Sequence, residues 1–134
     1  MFLQPKSLKF KKFKKGKLKK LNYKSNDLKF GTIGLKTIQS GTITARQIES
    51  ARQAITRKIK RKGKLWIRVY PSIPVTSKPS EVRMGKGKGS VSHWVSKIQA
   101  GQILFEICGI DVYVAHLAFK TGKAKLPLKT KIFT

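Results

Sequence analysis

The sequence predicts an α+β fold, with two helices packed on a mainly antiparallel sheet and a basic extended arm ahead of them. Three observations predict it. Apolar residues recur at helical spacing in two stretches, one after Thr44 and one after Asp111, as amphipathic helices require. Several short runs of β-branched and aromatic residues alternate between glycine and proline breaks, which is the pattern of strands. Residues 1–27 are dense in lysine and contain no acid before Asp27. The expected organisation is an arm over 1–27 and one α+β domain over 28–134.

In the arm, Lys6, Lys9, Lys11, Lys12, Lys14, Lys15, Lys17, Lys19, Lys20 and Lys24 alternate with Leu3, Leu8, Phe10, Phe13, Leu18, Leu21 and Tyr23. So dense a charge block is expected to be disordered by itself. Its apolar groups can wedge into RNA grooves or stack on bases while the lysines meet phosphates. The run Leu28 to Ile38 is rich in strand formers, and Gly31 and Gly34 mark bulges or close backbone approach. Gln39 to Gly41 reads as a turn with Thr42 and Ile43 returning, so a hairpin is expected.

Thr44 and Gln47 have capping-box spacing, and Gly63 lies where a helix should stop. Between them Ala45, Ile48, Ala51, Ile55 and Ile59 form one apolar face. Arg46, Arg57, Lys60 and Arg61 fall largely on the other side, with only Glu49 at hand to pair, so they are expected to meet phosphate. Lys64 to Tyr70 alternates, with Leu65, Ile67 and Val69 on one face. Pro71, Pro74 and Pro79 then argue for a stiff connection over 71–82. Strand-like runs follow at Ser90–Ile98 and Gln102–Cys108, with a turn at Ala100 and Gly101. A helix from Asp111 to Gly122 would place Val114, Leu117 and Ala118 on one side, and Leu128 to Phe133 reads as a last strand.

The charge balance narrows the function. There are 31 Lys+Arg against 5 Asp+Glu, a net charge of +26. A folded chain with that excess repels itself, so a polyanionic partner is expected, and nucleic acid supplies counterion release on binding. The acids Asp27, Glu49, Glu81, Glu106 and Asp111 are scattered, whereas acid–base and carboxylate–metal chemistry needs convergent groups. Cys108 is the one cysteine, and His93 and His116 stand far apart. No catalytic residue, metal site or cofactor is therefore expected, which argues against an RNA-modifying enzyme. No apolar run approaches a membrane span, and the arm lacks the period of a membrane-surface helix. Neither a membrane nor a homo-oligomer is an expected partner. Paired lysines without arginine also make the arm unlike an import presequence.

The segment Arg83-Met-Gly-Lys-Gly-Lys-Gly89 places three glycines at alternate positions around Lys86 and Lys88. It fits neither a Walker loop nor GxGxxG, and its backbone freedom with point charges suits RNA backbone contact. Together with Leu3 to Lys6, Phe30-Gly31, Gly34 to Lys36, Ile43 to Glu49, Lys64 to Arg68, Lys78-Pro79 and Trp94-Val95, it makes the chain resemble the bacterial-type large-subunit ribosomal protein L-sixteen family over nearly its whole length. That resemblance implies binding of large-subunit rRNA beside the peptidyl-transferase centre, neighbouring ribosomal proteins, and a contribution to the aminoacyl-tRNA site. It implies that Arg83, Lys86 and Lys88 are the tRNA-proximal group. The rRNA-binding residues would be Lys6, Lys9, Lys11, Lys12, Lys14, Lys15, Lys17, Lys19, Lys20, Arg46, Arg57, Lys60 and Arg61. All but six of the 31 Lys+Arg are lysine, a bias that suits an A+T-rich gene. With a family-like start at Met1, it favours a protein made in a mitochondrion, with plastid or bacterial cytoplasm as the alternatives.

Overall fold

The computed structural model describes residues 3–18 and 21–134. Within them the order is β1 (Ile33–Thr37), β2 (Gly41–Thr44), α1 (Ala45–Lys58), β3 (Lys64–Ile67), β4 (Ile73–Ser77), β5 (Ser90–Ile98), β6 (Ile103–Cys108), α2 (Val112–Lys123) and β7 (Thr130–Phe133). The α+β class is as expected, but two sheets stand where one was anticipated. One has the order β3-β6-β1-β7 and the other β2-β5-β4, and every strand pair in both is antiparallel.

The expected hairpin at Gln39 to Gly41 does not form as a strand pair. β1 is flanked on both edges, by β6 and β7, so the returning strand has no edge left to join. β2 pairs with β5 instead, with Gly41 opposite Ile98. The turn at Ala100 and Gly101 behaves alike: Gly101 takes a positive φ of 89° and carries the chain from one sheet to the other. The proline-rich stretch holds a strand that was not anticipated. β4 includes Pro74 and sits at the edge of its sheet, where a residue without an N–H leaves no ladder bond unmade.

Helix α1 has the expected cap. Thr44 accepts from the Gln47 amide while Gln47 reaches back to the Thr44 amide. Ile48, Ala51 and Ile55 are fully buried, and Ile59 follows them inward. The helix ends at Lys58, before Gly63, because Lys60 and Arg61 already take positive φ values of 52° and 62°. In α2 the buried face is Ala115, Ala118, Phe119 and Gly122, rotated from the expected Val114, Leu117 and Ala118. The small residues explain the rotation, since a Cβ on Gly122 would lie 2.6 Å from Ile55 Cγ1. The helices therefore meet along a small-residue seam, and Val114 packs only at the margin of the core. That core joins both helices to the inner faces of both sheets through Leu35, Ile43, Ile98, Leu104, Phe105 and Ile107.

Candidate nucleic-acid interface

Residues 3–18 form no helix or strand, and Lys6, Lys9, Lys11, Lys12, Lys14, Lys15 and Lys17 are exposed along them. Lys19 and Lys20 lie outside the described residues. The arm is fixed at both ends. Leu3 packs against the core, and Leu21 bridges Ala100 in parallel, with the Asn22 amide donating to the Ala100 carbonyl at 3.0 Å. In between, Lys12 Nζ donates to the Lys88 carbonyl at 2.7 Å, Lys88 donates to the Phe13 carbonyl, and Lys97 donates to the Lys15 carbonyl. The arm thus runs beside the glycine–lysine loop and strand β5. The sequence singled out the arm and the loop separately, and these bonds bring them onto one surface.

Loop residues Gly85, Lys86 and Gly87 have φ values of 87°, 52° and 84°. A Cβ at Gly85 or Gly87 would meet nothing within 4 Å. These glycines are therefore needed for their backbone conformation and not for close packing. Lys78 Nζ donates to the Gly85 carbonyl, while Arg83, Met84 and Lys86 project into solvent and Lys88, also exposed, reaches the arm at Phe13. None of the three cations has an acidic partner among the described residues.

On α1, Glu49 pairs with Arg52 at 2.7 Å, and the Arg52 hydrogen bond holds the Glu49 carboxyl below its usual range. That pairing leaves Arg46 and Arg57 exposed on one stripe with Ser50 and Gln53. Arg46 stands over a cleft of about 710 Å³ walled by Leu3, Glu49, His93 and Trp94. Arg57, Lys60 and Arg61 surround a second cleft of about 450 Å³ at the helix end, where carbonyl dipoles favour cations. The sequence-predicted residues therefore divide into two groups. The arm, the loop and Arg46 line one side with β5, and Arg57, Lys60 and Arg61 form a cluster at the far end of α1.

A family model described as ribosomal protein L16p/L10e matches residues 5–133. The chain belongs to the ribosomal protein L16p/L10e family. It is similar to the large ribosomal subunit protein uL16 of Bartonella bacilliformis, 54% identical over 129 residues, which is 96% of this chain and 94% of that protein. The same identity and coverage hold for the large ribosomal subunit protein uL16 of Bartonella henselae. L16p/L10e members are ribosomal proteins and not enzymes. Both relatives are bacterial, which favours the bacterial alternative over the mitochondrial expectation.

In this L16p/L10e chain, sequence reasoning missed one polar cluster. Glu106 is fully buried in β6. It accepts from the amides of Phe30 at 2.7 Å and Gly31 at 2.8 Å, and from the Arg68 guanidinium. Burial opposes its charge, yet the Phe30 and Gly31 amides and Arg68 outweigh that and hold the carboxyl below its usual range. Beside it, Phe30 and Trp66 stack with centroids 6.1 Å apart and planes 20° apart. The available signal was a lone acid inside the apolar run Ile103 to Cys108, since a buried carboxylate must be paired. Lys78 and Lys97 were also missed, because nothing in sequence places them against the loop and the arm.

Proposed function

We propose that this chain is a structural constituent of the large ribosomal subunit that binds large-subunit rRNA and helps shape the aminoacyl-tRNA site near the peptidyl-transferase centre. Its relatives carry the name of large-subunit proteins. The observation that carries the reading is the convergence of arm and loop. Lys12 and Phe13 of the arm meet Lys88 of the loop, so one surface offers many cationic hydrogen-bond donors to phosphate oxygens and almost no acids. The arm lysines named above, together with Arg46, Arg57, Lys60 and Arg61, bind rRNA phosphates, which position the protein without reading sequence. Arg83, Lys86 and Lys88 project towards tRNA from a loop that adds nothing to the core. Lys19 and Lys20 belong to the same proposal by their place in the sequence alone. Neighbouring ribosomal proteins complete the environment, and peptide transfer itself is left to the RNA.

The relatives' bacterial sources support a bacterial-type ribosome, while the lysine bias is what speaks for a mitochondrial one. Expression of a tagged chain followed by gradient sedimentation tests the main reading. The protein should co-migrate with large subunits and cross-link to their rRNA. Migration with free protein at the top of the gradient would refute it.

A further inference from the structure

We propose that Phe30 and Trp66, flanked by Lys64 and Arg68, form a stacking platform for an unpaired RNA base. The proposal deepens the rRNA-binding reading and rests on it. Strand β3 is an edge strand, and its residues alternate between faces. Leu65 and Ile67 pack against the core, so Lys64, Trp66 and Arg68 share the other face. Phe30, ahead of β1, stacks on Trp66 there and remains 56% exposed. Lys64 Nζ lies 5.2 Å from the Trp66 centroid, and the Arg68 guanidinium carbon lies 5.2 Å from that of Phe30. The result is a row of two rings between two cations, on a different sheet from the arm and the loop.

The row is held rigidly. One buried carboxylate, Glu106, takes the amides of Phe30 and Gly31 and the side chain of Arg68. Gly31 fits there because a Cβ would lie 2.7 Å from the Ile107 carbonyl. The Phe30 backbone and the Arg68 side chain are thereby held in place before any ligand arrives, with Trp66 stacked on Phe30, which lowers the ordering cost of binding. A pair serving only the core would be covered, and Phe30 is not.

Charge decides the kind of occupant. Lys29, Lys62 and Lys64 are exposed around the row, and Glu106, the acid bonded into it, is wholly buried. A base offers a π-face to the rings, and its phosphates suit the lysines. Lys64 is an exposed flexible chain, so a base can displace it from Trp66 onto phosphate. Stacking of this kind tolerates any base, because each has a π-face.

The test uses the full chain carrying Trp94→Phe, which leaves Trp66 as the sole tryptophan. Deca-adenylate is titrated at low salt against an abasic oligoribonucleotide of equal length, and Trp66 emission and anisotropy are read. Deca-adenylate should quench Trp66, and the abasic chain, with the same phosphates, should not. Phe30→Leu keeps apolar cover but removes the ring, and should weaken the quenching titration by roughly five- to a hundredfold. Lys64→Gln, an exposed change that breaks no bond of Glu106, should weaken it several-fold and guards against a Phe30 variant that fails to fold. Equal quenching by the abasic chain, or unchanged titrations in both variants, would overturn the platform. Stronger quenching by polyglutamate would assign the surface to an acidic protein and overturn it too. If both oligonucleotides bind with a steep salt response while Trp66 stays silent, only the platform falls. If neither binds, the RNA reading falls with it.

Discussion

Glu106 shows how a single side chain can be indispensable without touching a ligand. Leaving water raises the cost of its charge, and the amides of Phe30 and Gly31 with the Arg68 guanidinium more than compensate. Its carboxyl therefore titrates below the ordinary value of 4.5. A folded-state value below the unfolded one means stability that is present above about pH 4.5 and is lost as pH falls through the depressed folded value. Glu106→Gln leaves Arg68 without its counter-charge and should cost about 3–5 kcal/mol, read by urea unfolding at neutral pH. The gap between variant and parent should narrow as pH drops below the carboxylate range. A gap independent of pH would show that the charge is not what matters. An acid in an apolar strand was visible in the sequence, but its partners, 38 and about 76 positions away, were not.

The two helices and the loop place opposite demands on glycine. Gly122 allows α2 to lie against Ile55 of α1, so Gly122→Ala should force the helices apart and cost about 1–3 kcal/mol, seen as a melting temperature several degrees lower. An unchanged melting temperature would mean that the seam can yield. Gly85 and Gly87 stand in open space, and the loop around them contributes no buried side chain. Lys86→Ala with Lys88→Ala should therefore change stability by no more than about 0.5 kcal/mol. It should leave subunit assembly largely intact and slow aminoacyl-tRNA accommodation, measured as peptide-bond formation on reconstituted ribosomes. Normal accommodation in the double variant would remove the loop from the tRNA site. Helix α1 was readable because its cap, its apolar spacing and its cations are all local. The buried face of α2 was misread because small residues carry little hydrophobic signal, and their value lies in the distance they permit.

Over the entire chain, a net charge of +26 is unfavourable for the free protein and favourable on RNA. Lysine-to-carbonyl bonds join the arm to the loop and β5, and they involve exposed groups that water competes for. Most of the arm's binding energy is therefore expected from phosphate. If about six to ten phosphates are neutralised, rRNA affinity should fall by about 10³- to 10⁵-fold between roughly 50 and 200 mM salt. A filter-binding series checks this, and a flat response would show that the charge is not the binding device.

Read alone, the residues established the α+β class, the cap and inner face of α1, most strands, and the glycine–lysine loop with its family. Each of these is written in neighbours a few positions apart, through propensity, period or charge density. The pairing of strands was settled elsewhere. β1 and β2, and likewise β5 and β6, follow each other in sequence yet lie in different sheets, because β7 from the end of the chain and β3 from its middle occupy the edges they would have used. The Glu106 cluster and the meeting of arm with loop arise in the same way. Such contacts depend on which distant segment reaches a given edge or burial site, and local spacing in the sequence carries no record of that competition.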